Sequence, residues 1–361
     1  MSKIIVPGKE IVVPRIVVRP LLPPPPNLSA RLEPQHMHWQ VGRYKERLTS
    51  GPGGLGRGRV WVVEREAEQH NLILNQTYDT LMAQYGFLLG MWAAVGTGST
   101  PPDATQTSLV SEVARTNVNE SSGTGTWAIS RVADGVVDFS VTREFTEAQV
   151  GGQNLTEWGF APAQTPTSNL MSRELFRDGL GNPVVLTLAS DQRLRLIYKW
   201  RVTVGPVVAQ DVSINISGVG VRTGKLFLRK YVNVYSFPWN TFGNYFGDVA
   251  ALHGIMVAGT GYSRGHVLHS ADIPPDYNDT AAYTSGAAYK AFAYQSYVNG
   301  SRQRKTQPVT WLSSEANMTI RLIGIGYDWY PMGVKLNTGQ EFTKDNLHKL
   351  TIGEWTVTWG P

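Results

Sequence analysis

The chain has 361 residues, 42% of them apolar and 17% charged; the length suits two domains, and the abundance of Gly, Trp and Tyr favours strands and turns over helices. It contains no cysteine, which excludes disulfides, thiolate nucleophiles and zinc–sulfur centres, and no apolar run long enough to span a membrane as a helix. The net charge of +5 sits in residues 1–60, where ten Lys/Arg face only Glu10, Glu33 and Glu46; the near-neutral remainder argues against specific nucleic-acid binding.

Residues 1–50 read as an extended, Pro-rich, basic arm and linker. "IIVP", "IVVP" and "IVVRP" recur at Ile4, Ile11 and Ile16, followed by Pro23–Pro26. β-branched triplets favour strand, but a proline after each removes a backbone donor, so none fits inside a sheet paired on both edges. The arm therefore suits an edge strand or a polyproline-like path along another subunit, with an unstructured tail as the alternative. No apolar stretch followed by a small-residue cleavage site opens the chain, so no secretory signal is expected.

His36 and His38 have the i, i+2 spacing of a strand-borne metal pair, but no third ligand accompanies them. "GPGGLGRG" (residues 51–58) imitates a dinucleotide fingerprint yet lacks the preceding strand and following helix, so it reads as a flexible loop before a strand "RVWVVERE". Asn75 or Thr77 caps a predicted helix whose apolar face is Tyr78, Leu81, Met82 and Tyr85, stopped by Gly86. Phe87–Val95 reads as a core strand. Gly96 and Gly98 then supply unusual backbone angles for a sharp turn, Pro101 and Pro102 stiffen the loop, and Asp103 closes it by a local side-chain bond. Val113 is expected to dock on the core, and Glu112 to pair with Arg115.

Farther along, Leu194, Leu196, Tyr198, Trp200, Val202 and Val204 alternate with Arg195, Ile197, Lys199, Arg201 and Thr203, a strand with one buried face. Glu144/Glu147 and Asp272/Asp276 imitate the carboxylate couple of a glycosidase, although sequence spacing does not fix their separation in space. His253, His266 and His269 read as loop residues. In "AYKAFAYQSYVNGSRQRK", Phe292, Tyr294 and Val298 fall on one strand face and Tyr289 and Tyr297 on the other, ahead of Arg302, Arg304 and Lys305. This is either an interface or glycan platform, or a strand buried in its own domain.

Four segments recur in order. "WAAVGTG" (92–98) is echoed by "IMVAGTG" (255–261), "PPDATQT" (101–107) by "PPDYNDT" (274–280), "NLTEWGF" (154–160) by "NMTIRLIGI" (317–325), and "KWRVTVGP" (199–206) by "EWTVTWGP" (354–361). A repeat of this length marks two copies of one domain, a first module over 51–206 and a diverged second over 207–361. The expected fold is mainly β: two tandem β-sandwich or jelly-roll-like modules behind the arm, with one short helix in the first.

The segments "AVGTGSTPPDATQTSLVSEVARTNVN" and "LTEWGFAP…NLMSRELF…LIYKWRVTV" resemble the phage tail-collar fibre family. Gln106, Thr107, Leu109, Glu112, Arg115, Glu157, Gly159 and Phe160 match its pattern, and the likeness covers about residues 87–206. The resemblance implies a virion structural protein of the tail, collar, neck or baseplate region. It implies other virion proteins as partners and a homo-oligomer, with a trimer among the candidates. It implies no enzyme activity and no catalytic, cofactor-binding or metal-ligating residue. The family's long shaft and receptor-binding tip are not seen, which points to an adaptor or fibre-attachment joint. A carbohydrate-binding or depolymerising tail protein and a head-surface decoration or head-fibre protein are the competing readings.

Overall fold

The computed structural model describes residues 3–6, 9–12, 28–51, 54–80, 89–118, 128–166, 169–216, 218–229, 264–279, 281–283, 285–291, 294–327 and 330–361. In chain order the first strands are β1 (Lys3–Val6), β2 (Lys9–Val12), β3 (Leu28–Gly51), β4 (Gly54–Gln69), β5 (Leu72–Ile73), β6 (Trp92–Gly96) and β7 (Glu112–Thr116). They continue with β8 (Ala128–Ala133), β9 (Val136–Phe145), β10 (Asn154–Leu155), β11 (Glu157–Ala161), β12 (Ser172–Leu175), β13 (Leu186–Thr187) and β14 (Arg193–Gly205). Two short helices interrupt them, α1 (Asn75–Thr80) and α2 (Glu147–Val150). The later strands are β15 (Gln210–Ile216), β16 (Gly220–Phe227), β17 (Arg264–His269), β18 (Ala287–Ala291), β19 (Gln303–Lys305) and β20 (Val309–Trp311). Last come β21 (Met318–Ile320), β22 (Leu322–Tyr327), β23 (Tyr330–Leu336), β24 (Phe342–Lys344), β25 (Leu350–Ile352) and β26 (Thr356–Gly360). The fold is mainly β, as the sequence predicts.

The predicted alternation of β14 places Leu194, Leu196, Tyr198, Trp200, Val202 and Val204 in the core. β14 lies between β3 and β9 in a seven-stranded sheet, which faces a five-stranded sheet of order β5-β12-β11-β6-β7. Aromatic rings fill the space between them: Phe160 stacks on Tyr198 at 4.7 Å, and Trp39 meets Phe176 edge-on at 6.3 Å. In the second half a six-stranded sheet, β15-β16-β23-β22-β17-β18, packs Leu268 and Ile323 against Trp311 of β20 and Leu350 of β25.

The two halves share one pairing scheme. The contacts β6–β7, β6–β11, β11–β12, β12–β5 and β10–β13 recur as β17–β18, β17–β22, β22–β23, β23–β16 and β21–β24. The long hairpin pair β9–β14 recurs in broken form, with β19 on β26 and β20 on β25. Close strand approach is preserved too. A Cβ on Gly159 would lie 2.3 Å from the Ser172 carbonyl oxygen, and one on Gly324 would lie 1.9 Å from that of Met332. Strand order makes β17 the counterpart of β6, so the equivalent of residues 92–98 is 265–271; the sequence echo at 255–261 lies outside the described residues.

Three expectations about boundaries change. Residues 28–50, read as arm and linker, form most of β3: Leu28, Ala30, Leu32, Met37, Trp39 and Val41 are buried and belong to the core. The single Pro34 is tolerated because β3 is bulged there: Lys199 faces His36 and Trp200 faces Pro34, with Gln35 as the extra residue. The "GPGGLGRG" loop is a hairpin turn and the start of β4, with Gly51 opposite Gly54 and Arg47 opposite Gly58. The predicted helix is present as α1, but neither expected cap serves: Asn75 is already its first residue and accepts from Arg302, and Thr77 donates to the Met171 carbonyl. Leu81, Met82, Tyr85 and Gly86 lie outside the described residues, and α2, with Thr146 and Gln149 forming a capping box, was not foreseen.

β26 also crosses into the first half, pairing parallel with β3 from Val357↔Leu28 to Gly360↔Arg31. Beside it Tyr297 stacks on Trp359 at 5.8 Å and donates to Asp79, while the Trp359 indole donates to the Tyr78 carbonyl at 3.1 Å. The two halves are thereby tied together through α1, β3 and β26. We expect Gly159→Ala and Gly324→Ala each to lower stability by about 1–3 kcal/mol or more, because neither carbonyl can retreat without breaking its ladder. Urea denaturation of the two variants, each compared with a Gly353→Ala surface control where an added Cβ meets open space, measures this.

Candidate functional site

The Gly-rich turn and the strands β11 and β12 build one unit. Residues 97–111 lie over the outer face of the five-stranded sheet, and the carboxylate of Glu157 on β11 holds them there. Its Oε1 accepts the backbone N–H groups of Gly98 at 3.0 Å and Ser111 at 2.8 Å, and its Oε2 accepts that of Val110 at 3.1 Å. Arg173, on the neighbouring strand β12, donates through Nε to the same carboxylate at 2.9 Å. It also donates to Gln106 Oε1 at 2.7 Å and to the Thr100 carbonyl at 2.9 Å. Both charged side chains are completely buried, so the pair is tolerable only because nearly every polar atom is matched.

This clamp explains the glycines differently from the sequence reading. Gly96 and Gly98 are needed for room, not for unusual backbone angles: a Cβ would sit 2.3 Å from the Ser111 carbonyl oxygen at Gly96 and 2.4 Å from Glu157 Oε1 at Gly98. Asp103 closes the loop as predicted, accepting from Thr105 N–H at 2.8 Å, and its bonds from Thr105 hold its carboxyl below the usual range. Arg115 pairs with Glu112 at 2.8 Å and also donates to the Ala163 carbonyl and Asn169. Val113 stays on the surface at 37% exposure, because the strand β7 points it away from the core that Leu109 enters instead.

The second copy keeps the shape and changes the chemistry. Its loop repeats the Asp turn, with Asn278 N–H donating to Asp276 at 2.9 Å. In the strand scheme Leu322 replaces Glu157, and Gly333 replaces Arg173. The loop amide of Ala271 donates to His269 Nδ1 at 2.9 Å, and burial holds that imidazole below its ordinary pKa, in the neutral form that can accept.

The remaining candidates are occupied by structural roles. Glu144 is buried beneath Arg193 and Arg195, each at 2.8 Å, and accepts from the Tyr44 hydroxyl at 3.1 Å. Arg193 also pairs with Glu147 and holds its carboxyl below the usual range, the reverse of what a general acid needs. Asp272 pairs with Lys335 at 2.6 Å. His38 bonds Glu66 at 2.9 Å and His36 lies against the His70 ring, but among the described residues no three His, Asp or Glu groups are placed to hold a metal. His266 is not a loop residue: it is buried on β17 with its ring edge-on to Trp311, and burial pushes its pKa down to about 4. His253 and Phe292 lie outside the described residues. Tyr297 and Arg302, the latter 4.6 Å over the Tyr78 ring, face α1, so that part of the aromatic stretch is an internal joint.

One surface was not foreseen. β14 accompanies β3 only as far as Gly42, so residues 43–51 pair with 54–62 alone and run on as a two-stranded ribbon for about 30 Å. Its base is fixed by Tyr44 and Trp61: Arg195 donates to the Tyr44 hydroxyl at 2.6 Å and covers the Trp61 ring at 4.1 Å. Beyond that anchor Lys45, Arg47, Arg57 and Arg59 are exposed with Glu46. The charge bias of residues 1–60 hinted at it; the ribbon geometry was hidden by glycines that read as loop.

Comparison with known proteins found no family model, no curated sequence and no solved structure that matches this chain.

Glu157→Leu alone strands Arg173 and three backbone donors, so a loss of about 3–5 kcal/mol is expected. Glu157→Leu/Arg173→Met should recover only the part owed to the stranded guanidinium, because the amides of Gly98, Val110 and Ser111 stay unpaired; denaturant midpoints of the three proteins decide. Acid sensitivity is expected from the buried histidines. His266 is neutral when folded down to about pH 4, whereas the unfolded chain takes up the proton near pH 6.5. Stability should thus be level above about pH 6.5 and fall by roughly 1.4 kcal/mol per pH unit toward pH 4. His269 acts in the same direction, so His266→Phe should flatten this slope without abolishing it.

Proposed function

We propose that the chain is a structural protein of a bacteriophage virion, an oligomeric adaptor or fibre-attachment joint of the tail, collar or baseplate region that docks through its N-terminal arm. The motif resemblance supports this reading, and the observation that carries it is the Glu157 clamp. The polar and charged residues of the motif (Gln106, Glu112, Arg115 and Glu157) are turned to fixing a loop on a sheet, a role in shape and not in reaction. β1 and β2 add a hairpin, Lys3↔Val12 to Val6↔Lys9, within the arm. Extended β-branched segments of this kind bind by strand pairing and by burying alternate side chains.

Deletion of residues 1–27 tests the reading and, unlike a longer cut, leaves β3 whole. The shortened protein is expected to unfold at the same temperature as the full chain and to be missing from purified particles by immunoblot. Normal incorporation of the shortened chain would refute docking through the arm. Chain shortening of host surface polysaccharide by the pure protein would instead favour the depolymerising reading, and immunogold labelling confined to the capsid would favour the head-surface one.

A further inference from the structure

Among the described residues β4 is paired on one edge only, by β3, and its other edge presents backbone donors and acceptors along the whole strand. Such an edge is a template for another strand, and proteins that do not use it cover it, shorten it, or set charges and bulges along it. Here it is long and regularly patterned. The ladder with β3 fixes which side chains share the outer face: Arg57, Arg59, Trp61, Val63, Glu66 and Glu68, opposite Leu48, Glu46, Tyr44, Gly42, Gln40 and His38. Glu64 is the extra residue of the bulge at Val41/Gly42, which is why the face passes from Val63 to Glu66. Read along the strand, this face is basic, basic, apolar, apolar, acidic, acidic.

That order is its own complement when reversed. We infer that β4 pairs antiparallel with β4 of a second copy of this chain about a two-fold axis at Val62, joining the two large sheets into one. In this register Arg57 faces Glu68 of the second copy, Arg59 faces Glu66, Trp61 faces Val63, and the same contacts repeat on the other side of the axis. Counting the bulge, every facing pair lies on the same side of the sheet, which an antiparallel ladder requires. A slip by one ladder step would oppose side chains on different faces, and a slip by two would set Arg59 against Val63 in one direction or Trp61 against Glu66 in the other. The charges are available for this use. Arg57 and its neighbour Glu46 are 3.6 Å apart but 81% and 70% exposed, and Glu66 remains half exposed beside His38. An isologous contact of this kind closes on itself, so the edge is used up without growing a filament. It also gives the projecting ribbon a seat, along the acidic end of the partner's strand. The inference stands on the β4 edge alone and does not depend on the virion reading.

Sedimentation of the full chain at micromolar concentration should give a dimer. Arg57→Glu/Arg59→Glu makes the edge acidic throughout and Glu66→Arg/Glu68→Arg makes it basic, so each variant alone should sediment as a monomer. An equal mixture of the two should return to dimer mass, which also shows that both are folded. Because the chain has no cysteine, Val62→Cys introduces a single thiol on the axis, and mild oxidation should give a disulfide-linked dimer; Arg57→Cys should not. A wild-type monomer, a mixture that stays monomeric, or dimers that Val62→Cys fails to cross-link would each overturn the assignment.

Discussion

The strand β3 is the constraint on which the rest of the molecule depends. It is paired along one edge by β14 and along the other first by β26 and then by β4, so both halves of the chain contribute to its ladder. Its inner residues, Leu28, Ala30, Leu32, Met37, Trp39 and Val41, enter the same core as β14 and β9. Once β3 is fixed, α1 meets the Tyr297–Trp359 stack, and the second sandwich has a defined place beside the first. The same strand, continued past Arg193 at the start of β14, becomes the ribbon. One element therefore joins the modules and carries the surface that leaves them.

The two halves, alike in strand pairing, show two ways to hold one loop on one sheet. The first anchors the loop on Glu157 and Arg173, a buried ion pair saturated by backbone donors. The second sets Leu322 and a neutral imidazole at that place and holds the loop from buried Arg229, which pairs with Asp279 at 3.0 Å and donates to the Asp279 and Ala281 carbonyls. Buried ion pairs contribute little net stability compared with apolar replacements of like volume, but they tolerate very few alternative arrangements. The same loop is thus fixed by a buried arginine in both halves, but from different positions and toward different acids.

Much of this was legible in the sequence. Period-two alternation marked β14, and the four ordered echoes anticipated a common strand scheme, although the first echo pointed nine or ten residues away from the strand that occupies the equivalent place. The Asp103 turn and the Glu112–Arg115 pair were visible because both are local. What escaped was non-local. Glu157 meets the loop amides from more than forty residues away, and nothing in "LTEWGF" marks its acid as buried. β3 was hidden by its proline and its two histidines, which a bulge and an exposed outer face accommodate. The ribbon was hidden because Gly54, Gly56 and Gly58 lower strand propensity, yet pairing to a committed partner strand overrides that preference.

The parallel contact of β26 with β3 has a consequence for how the protein is made. Val357 and Leu28 stand more than three hundred residues apart in the chain, so translation places the first long strand outside the ribosome well before the last one exists. During that interval one edge of β3 near Leu28 has no native neighbour, and its greasy inner face waits for closure. Contacts of such long range slow folding and leave intermediates prone to aggregation. Efficient production in a cell therefore calls for rapid synthesis of the closing segment or for a chaperone that shields the waiting strand.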